Sequence, residues 1–213
     1  MKRGLFVVFE GIDGSGTSTH VHELTRKIEN LDKYRDVLRT HEPWRSGEIK
    51  RKLQNDRDAY SEPDEITQLF IGDRIEHSYT LIKPNLDARV IVLCSRYKMS
   101  TCAFQQAQGM LLNKLLYMHE NRGILTPDLT FFLDVPREVA EERLKERKSC
   151  EKFESDNDFI NKVIENYKEL VELSQTNLYP FGKVIRIDGN RSTEAVTSEI
   201  YEKFLGLYKS SNL

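Results

Sequence analysis

Leu5-Phe6-Val7-Val8-Phe9 is an unbroken apolar run that passes directly into Glu10-Gly11-Ile12-Asp13-Gly14-Ser15-Gly16-Thr17-Ser18-Thr19. Glycines set this closely break the strand into a tight turn. The chain then turns helical, since Val21, Leu24 and Ile28 recur at helical spacing beyond Ser18. A strand, a glycine turn and a helix N-terminus in that order make an anion cradle: successive N–H groups curl around phosphate oxygens and the helix dipole adds to the pull. The spacing is that of the phosphate-binding loop G-x-x-x-x-G-K-[ST], with Gly11, Gly14, Gly16 and the Mg2+-reaching hydroxyl of Ser18 in place. Thr17 stands where the motif has its lysine.

Four further apolar or β-branched runs, Val37 to Thr40, Val90 to Cys94, Leu129 to Val135 and Lys183 to Ile187, alternate with helical periodicity. Val90-Ile91-Val92-Leu93 and Phe131-Phe132-Leu133 are apolar without alternation, as strands covered on both faces are. The expected fold is a three-layer α/β domain of P-loop NTPase type, a parallel five-stranded sheet flanked by helices. At 213 residues one domain, 1–213, is expected. Ligands of such sheets collect beyond the carboxyl ends of the strands, so His41 to Arg45 and Ser95-Arg96-Tyr97 join the glycine turn as candidate site segments. Val196, Ile200, Phe204 and Leu207 stripe a terminal helix meant for packing. Charge crowds into Arg143 to Asp158, which reads either as a solvated helix end or as a short helical lid, about 143–158, whose cations close over phosphates.

A net charge of −2 and a pI near 6.2 argue against a nucleic-acid partner. No stretch approaches the roughly 20 apolar residues of a membrane span. Cys94, Cys102 and Cys150 lack the spacing of a zinc site, and Cys94 reads as a small buried hydrophobe. A soluble protein of a reducing, cytoplasmic compartment is expected. His20 and His22 read as bystanders. Phe70 and Arg74, four apart on one helical face, form either a nucleobase clamp or a core phenylalanine beside a surface arginine.

Phe9-Glu10-Gly11-Ile12-Asp13, Thr40-His41-Glu42-Pro43, Leu69-Phe70-Ile71-Gly72-Asp73-Arg74, Ser95-Arg96-Tyr97 with Ser100 and Phe104, and Pro127 to Val135 together resemble the thymidylate kinase family. The motifs occur in the family's order from the start of the chain to the lid. The resemblance implies a homodimeric ATP:dTMP phosphotransferase that makes dTDP and ADP for dTTP synthesis. ATP would lie on Gly11, Ile12, Asp13, Gly14, Ser15, Gly16, Thr17, Ser18 and Thr19, with Mg2+ at Ser18. Asp13 would hold the 3′-hydroxyl of dTMP, Phe70 would stack on thymine, and Arg74 would bond its carbonyl. Ser100 and Thr101 would line the rest of the base edge, and Phe104 would crowd the sugar's 2′-carbon. Arg96 would grip the phosphates between which the phosphoryl group moves. Arg45, two residues past Pro43, would contact the dTMP phosphate, and the Glu42–Pro43 bond would be cis. Gly14 replaces the loop arginine of eukaryotic-type members. The resemblance to bacterial-type members therefore assigns the catalytic arginine to Arg143 or Arg147, one turn apart on a helix starting near Pro136, with Phe153-Glu154 closing the lid. Arg191, in the turn Gly189-Asn190-Arg191-Ser192, is a candidate for the adenine end of ATP on position alone, or a solvated turn residue.

Two departures touch the chemistry. Thr17 removes a cation, and Ser95 replaces the aspartate usual before Arg96. Losing one preorganised donor typically lowers a rate about 100- to 1,000-fold, and a delivered arginine returns about as much. Arg143, Arg147 or Lys148 is therefore expected to stand in for the lysine, and the paired loss of a cation and an anion leaves local charge nearly balanced. Two other readings stay open: a nucleotide-binding regulator that has lost catalysis, and a nucleoside monophosphate kinase of broader base choice.

Overall fold

The computed structural model of the protein describes residues 3–55, 62–120, 122–146, 157–176 and 180–211. Strands β1 (Phe6–Glu10), β2 (Val37–His41), β3 (Ile91–Ser95), β4 (Leu129–Asp134) and β5 (Lys183–Asp188) form one sheet in the order β2-β3-β1-β4-β5. All four pairings are parallel. Each expected strand is present, its ends displaced by no more than one residue.

Parallel strands require crossovers, and the helices supply them. Helix α1 (Thr17–Leu31) joins β1 to β2. Helices α2 (Gly47–Asn55) and α3 (Pro63–His77), a π-helical turn at Ser78–Ile82 and α4 (Lys83–Asp87) lead to β3. Helices α5 (Lys98–Ala107) and α6 (Leu112–His119) lead to β4, α7 (Arg137–Glu146) and α8 (Asn157–Ser174) to β5, and α9 (Thr193–Ser211) follows.

Side chains alternate across each strand and so divide the core between two faces. Val7 and Phe9 pack with Leu24 and Ile28 of α1 and with Ile200 and Phe204 of α9. Phe6 and Val8 face the other way, against Ile82, Leu86 and Tyr97. On β4, Phe131 lies 5.4 Å from Phe9 on the first face, while Phe132 stacks on Tyr167 of α8 at 5.2 Å on the second. The expected terminal stripe is real: Val196, Ile200 and Phe204 are buried and Leu207 packs against them. Cys94 is fully buried, and burial pushes its thiol well above the ordinary range.

The crevice arises from the strand order. β1 and β3 are neighbours, yet the chain leaves β1 toward β2 on one side and leaves β3 toward β4 on the other. Phe9 is in register with Ser95, so the glycine turn after β1 and the Ser95-Arg96-Tyr97 segment after β3 open onto one topological switch point.

His20, given no functional role by the sequence, has a structural one. It is buried one turn before Leu24 and two before Ile28, on the stripe that faces the core, and its Nδ1 lies 3.0 Å from Thr197 Oγ1 of α9. Burial, with Arg143 nearby, holds its pKa down at about 4, and burial with Arg74 holds His119 at about 3. Both compare with an ordinary 6.5. Below that pH the unfolded chain takes up protons that the folded chain refuses, so stability complete above pH 6.5 is lost as pH falls toward 4. Urea midpoints should therefore fall across this window, and the fall should be shallower in a His20→Asn, His119→Asn double variant.

Candidate active site

The glycine turn is shaped as its sequence requires. Gly14 and Gly16 hold φ of 79° and 98°, which L side chains rarely adopt. A Cβ at Gly14 would also lie 2.3 Å from the carbonyl oxygen of Ala140, because α7 lies directly on the loop. No arginine fits at this position. At the start of α1 the His20 N–H bonds the Gly16 carbonyl at 3.0 Å, so the helix N-terminus opens at the end of the glycine turn. Ser15 Oγ is buried with no partner among the described residues. An orphaned hydroxyl at a helix N-terminus fits a polyanion.

Two cavities of about 230 Å³ each meet beside this loop. One is lined by Gly14, Gly16, Thr17, Ser18 and Ser95. The other is lined by Pro43, Phe70, Ser100, Phe104 and Gln105. Asp13, Glu42 and Arg96 border both. Arg96 stands at the junction with a φ of 66°, a strained value for a residue with a Cβ. Its N–H is fixed to the Phe9 carbonyl at 2.7 Å, its guanidinium pairs with Asp13, and the same group lies 5.4 Å over the Phe104 ring.

Phe70 and Arg74 are both at the second cavity, and their burial is the reverse of a core phenylalanine beside a surface arginine. Phe70 is half-buried and offers its ring to the cavity, while Arg74 is 1% exposed. Arg74 Nε donates to Glu42 Oε2 at 2.6 Å, and Nη2 donates to the Tyr97 carbonyl and Thr101 Oγ1, both at 3.0 Å. Nη1 lies 2.7 Å from His119 Nε2. His119 Nδ1 lies 2.7 Å from the Leu115 carbonyl, which only accepts, so Nδ1 carries the proton and Nε2 accepts from Arg74. Thr101 lines the second cavity as well as accepting from Arg74.

Three carboxylates that sequence reasoning left without a role organise these walls. Glu10 ends a buried strand and accepts from Tyr97 N at 2.9 Å, Met99 N at 3.1 Å, Ser100 Oγ at 2.5 Å and Tyr167 Oη at 3.2 Å. Burial raises its pKa, and the bonds from Ser100 oppose that rise. A charged residue closing an unbroken apolar strand was the available signal, because buried carboxylates need partners. Glu42 joins Arg74 to His77, whose Nδ1 lies 3.1 Å from Oε1. The Glu42–Pro43 bond is cis. Asp73 accepts the backbone N–H groups of Trp44, Arg45 and Ser46 at 2.5, 2.8 and 2.9 Å.

The remaining expected site residues divide. Ser100 lines the second cavity, with its hydroxyl engaged by Glu10 and Tyr167. Arg45 does not line that cavity; its exposed guanidinium lies 4.1 Å over the Trp44 indole, which stacks on His77. Arg143 donates to the Gly189 carbonyl at 2.9 Å, tying α7 to the loop after β5. Arg191 sits in the turn after β5 with its guanidinium paired to Glu199 and Asp188. Arg147, Lys148 and the Phe153-Glu154 pair lie outside the described residues. Thr17 and Ser95, the two departures from the motifs, touch: Ser95 Oγ donates to Thr17 Oγ1 at 2.9 Å.

Hydrogen bonds to a charged acceptor are worth about 1.5–3 kcal/mol each, and Asp73 receives its three from a single short loop. Asp73→Ala should lower the unfolding free energy by about 2–3 kcal/mol, read from denaturant midpoints. A loss below about 0.5 kcal/mol would show that the loop stands without it.

A model of the thymidylate kinase family matches residues 9–200. A thymidylate kinase of Leptospira interrogans is 32% identical over 212 residues, covering 99% of this chain and 98% of the relative. A probable thymidylate kinase of Thermococcus kodakarensis is 35% identical over 178 residues, covering 79% and 85%. A thymidylate kinase of Trichodesmium erythraeum is 33% identical over 218 residues, covering 92% and 93%. With these likenesses spanning the five-stranded parallel sheet, the glycine loop and both cavities, the chain belongs to the thymidylate kinase family.

Proposed function

We propose that the protein transfers the γ-phosphoryl group of ATP to dTMP, giving dTDP and ADP. The observation that carries this reading is Arg96 at the junction of a phosphate-sized cavity under a glycine loop and an aromatic-walled cavity. Phosphoryl transfer asks a protein mainly for alignment and for positive charge around the moving group. Among the described residues Arg96 is the one arginine or lysine bordering both cavities. In this reading ATP phosphates rest on the amides of residues 11–19, and the dTMP phosphate meets them at Arg96. The carboxylate of Asp13 restrains the guanidinium and accepts from the 3′-hydroxyl.

The base lies on Phe70 with Phe104 against the sugar. Arg74 has one Nη1 hydrogen beyond its four protein bonds, enough for a base carbonyl. Gln105 Oε1 is buried on the cavity wall without a partner among the described residues, and a pyrimidine N3–H supplies the missing donor. No acidic, histidine or cysteine cluster able to hold a metal exists among the described residues. That suits an ion bound by phosphates, waters and the single hydroxyl of Ser18. Mg2+ held at Ser18 would supply positive charge beside the β- and γ-phosphates. Arg45 in the cis-proline loop and Arg147, which lies outside the described residues, are the further arginines assigned to the phosphates. Arg143 meets the nucleotide at the loop beginning with Gly189. The protein acts as a single cytoplasmic domain, 1–213, in a homodimer.

A regulator without catalysis has no use for a complete acceptor cavity, and the orphaned Gln105 oxygen disfavours a broad base choice. Steady-state ADP release with ATP and Mg2+ should therefore favour dTMP over dCMP and dGMP by at least about 100-fold in kcat/KM, with dUMP, lacking one methyl, within about 10- to 200-fold. Absence of turnover with all four would overturn the reading. Arg96→Lys keeps the charge but loses the planar fork, and should lower kcat about 100- to 1,000-fold with ATP still bound.

A further inference from the structure

We propose that Ser18, Ser95 and Thr17 form a directed hydroxyl relay in which Thr17, at the lysine's position, donates its proton to a phosphate oxygen of the bound nucleotide. This rests on the phosphate-binding role of the first cavity and adds the means by which that cavity works without its lysine.

The direction follows from proton counting. A serine or threonine hydroxyl has one hydrogen to give and two lone pairs. Ser95 Oγ gives its hydrogen to Thr17 Oγ1 at 2.9 Å. Toward Ser18 Oγ, 3.4 Å away, Ser95 is left able only to accept. Ser18 therefore points its hydrogen inward and its lone pairs toward the cavity, as a Mg2+ ligand requires. Thr17, having accepted from Ser95, must place its own hydrogen elsewhere, and no described residue takes it. Thr17 is 8% exposed and Ser95 5% exposed, yet both line the cavity below the glycine loop. A buried donor facing such a cavity needs an acceptor there, and a phosphate oxygen is the acceptor that the helix N-terminus beside it favours. Aligned hydroxyls polarise one another, so the proton presented by Thr17 is more positive than that of an isolated threonine. The relay is neutral throughout. The cation and the carboxylate are thus replaced together by a pair of side chains, each of which satisfies the other.

The residues are 78 apart in sequence and meet because Phe9 pairs with Ser95 across β1 and β3. Ser95 acts through Thr17 and is a positioning residue, while Thr17 itself touches the nucleotide.

Calorimetric titration of the full chain with ATP, in EDTA and in Mg2+, tests the relay, with dTMP titration and melting temperature read beside it. Thr17→Val keeps the shape and removes the donor. It should weaken ATP binding by about 10- to 150-fold in EDTA, the range for a hydrogen bond to a charged partner, and leave dTMP binding unchanged. Thr17→Ser, which returns the hydroxyl, should restore the affinity. Ser95→Ala should weaken ATP binding by a smaller factor, and the double variant Thr17→Val, Ser95→Ala should bind no more weakly than Thr17→Val alone. Unchanged ATP affinity in Thr17→Val, or losses that multiply in the double variant, overturns the relay while the kinase reading stands. Failure of the unmodified chain to bind ATP overturns both. Should Thr17→Val not fold, Ser95→Ala in the same titration decides, unchanged affinity counting against the relay.

Discussion

The aromatic-walled cavity hangs on the guanidinium of Arg74, which is sunk into the interior beside Glu42 and bonded in the same plane to Tyr97, Thr101 and His119. A buried ion pair recovers its desolvation only when its remaining polar atoms are satisfied as well. Here each partner comes from a different segment: Glu42 from the end of β2, Tyr97 and Thr101 from the start of α5, His119 from the end of α6. Completing the hydrogen bonds of one arginine therefore fixes three walls of one cavity. The neutral imidazole of His119 is part of the same requirement, since a protonated ring has no lone pair to offer Arg74.

Glu10 plays the corresponding part under the sheet. Its carboxylate gathers the first N–H groups around α5 and the hydroxyls of Ser100 and Tyr167, so the strand that opens into the glycine loop also sets the helix that carries the acceptor wall. The two cavities are in this way registered to a single strand end. Arg96, held by the Phe9 carbonyl in a conformation few residues adopt, stands between them because the backbone leaves it no alternative.

The α7 helix explains a second feature of the loop. Its Ala140 carbonyl occupies the space over Gly14, so positive charge cannot arrive from a side chain on the loop at that point. The same helix carries Arg143 toward the loop after β5. The first cavity is consequently lined by neutral side chains at Thr17, Ser18 and Ser95, and among the described residues Arg96 is the arginine or lysine that borders it.

Much of this was legible in the chain. The five strands, the glycine turn and the terminal stripe depend on local periodicity, apolar runs and short motifs, all of which act over a few residues, while the cis bond at Pro43 was implied only by the family resemblance. The carboxylate network was less so, because Glu10, Glu42 and Asp73 carry no periodic signal and declare themselves only by their partners. Burial was misjudged where it depends on distant segments: one reading put Arg74 at the surface, and His20 was passed over although it shares the stripe of Leu24 and Ile28. By itself the sequence determined a phosphate-binding loop in a parallel α/β sheet and the order of the motifs around it. Only the tertiary structure decided that β3 lies against β1, and with it that Ser95 meets Thr17, since strand order is settled by the sum of contacts among all five strands and their helices.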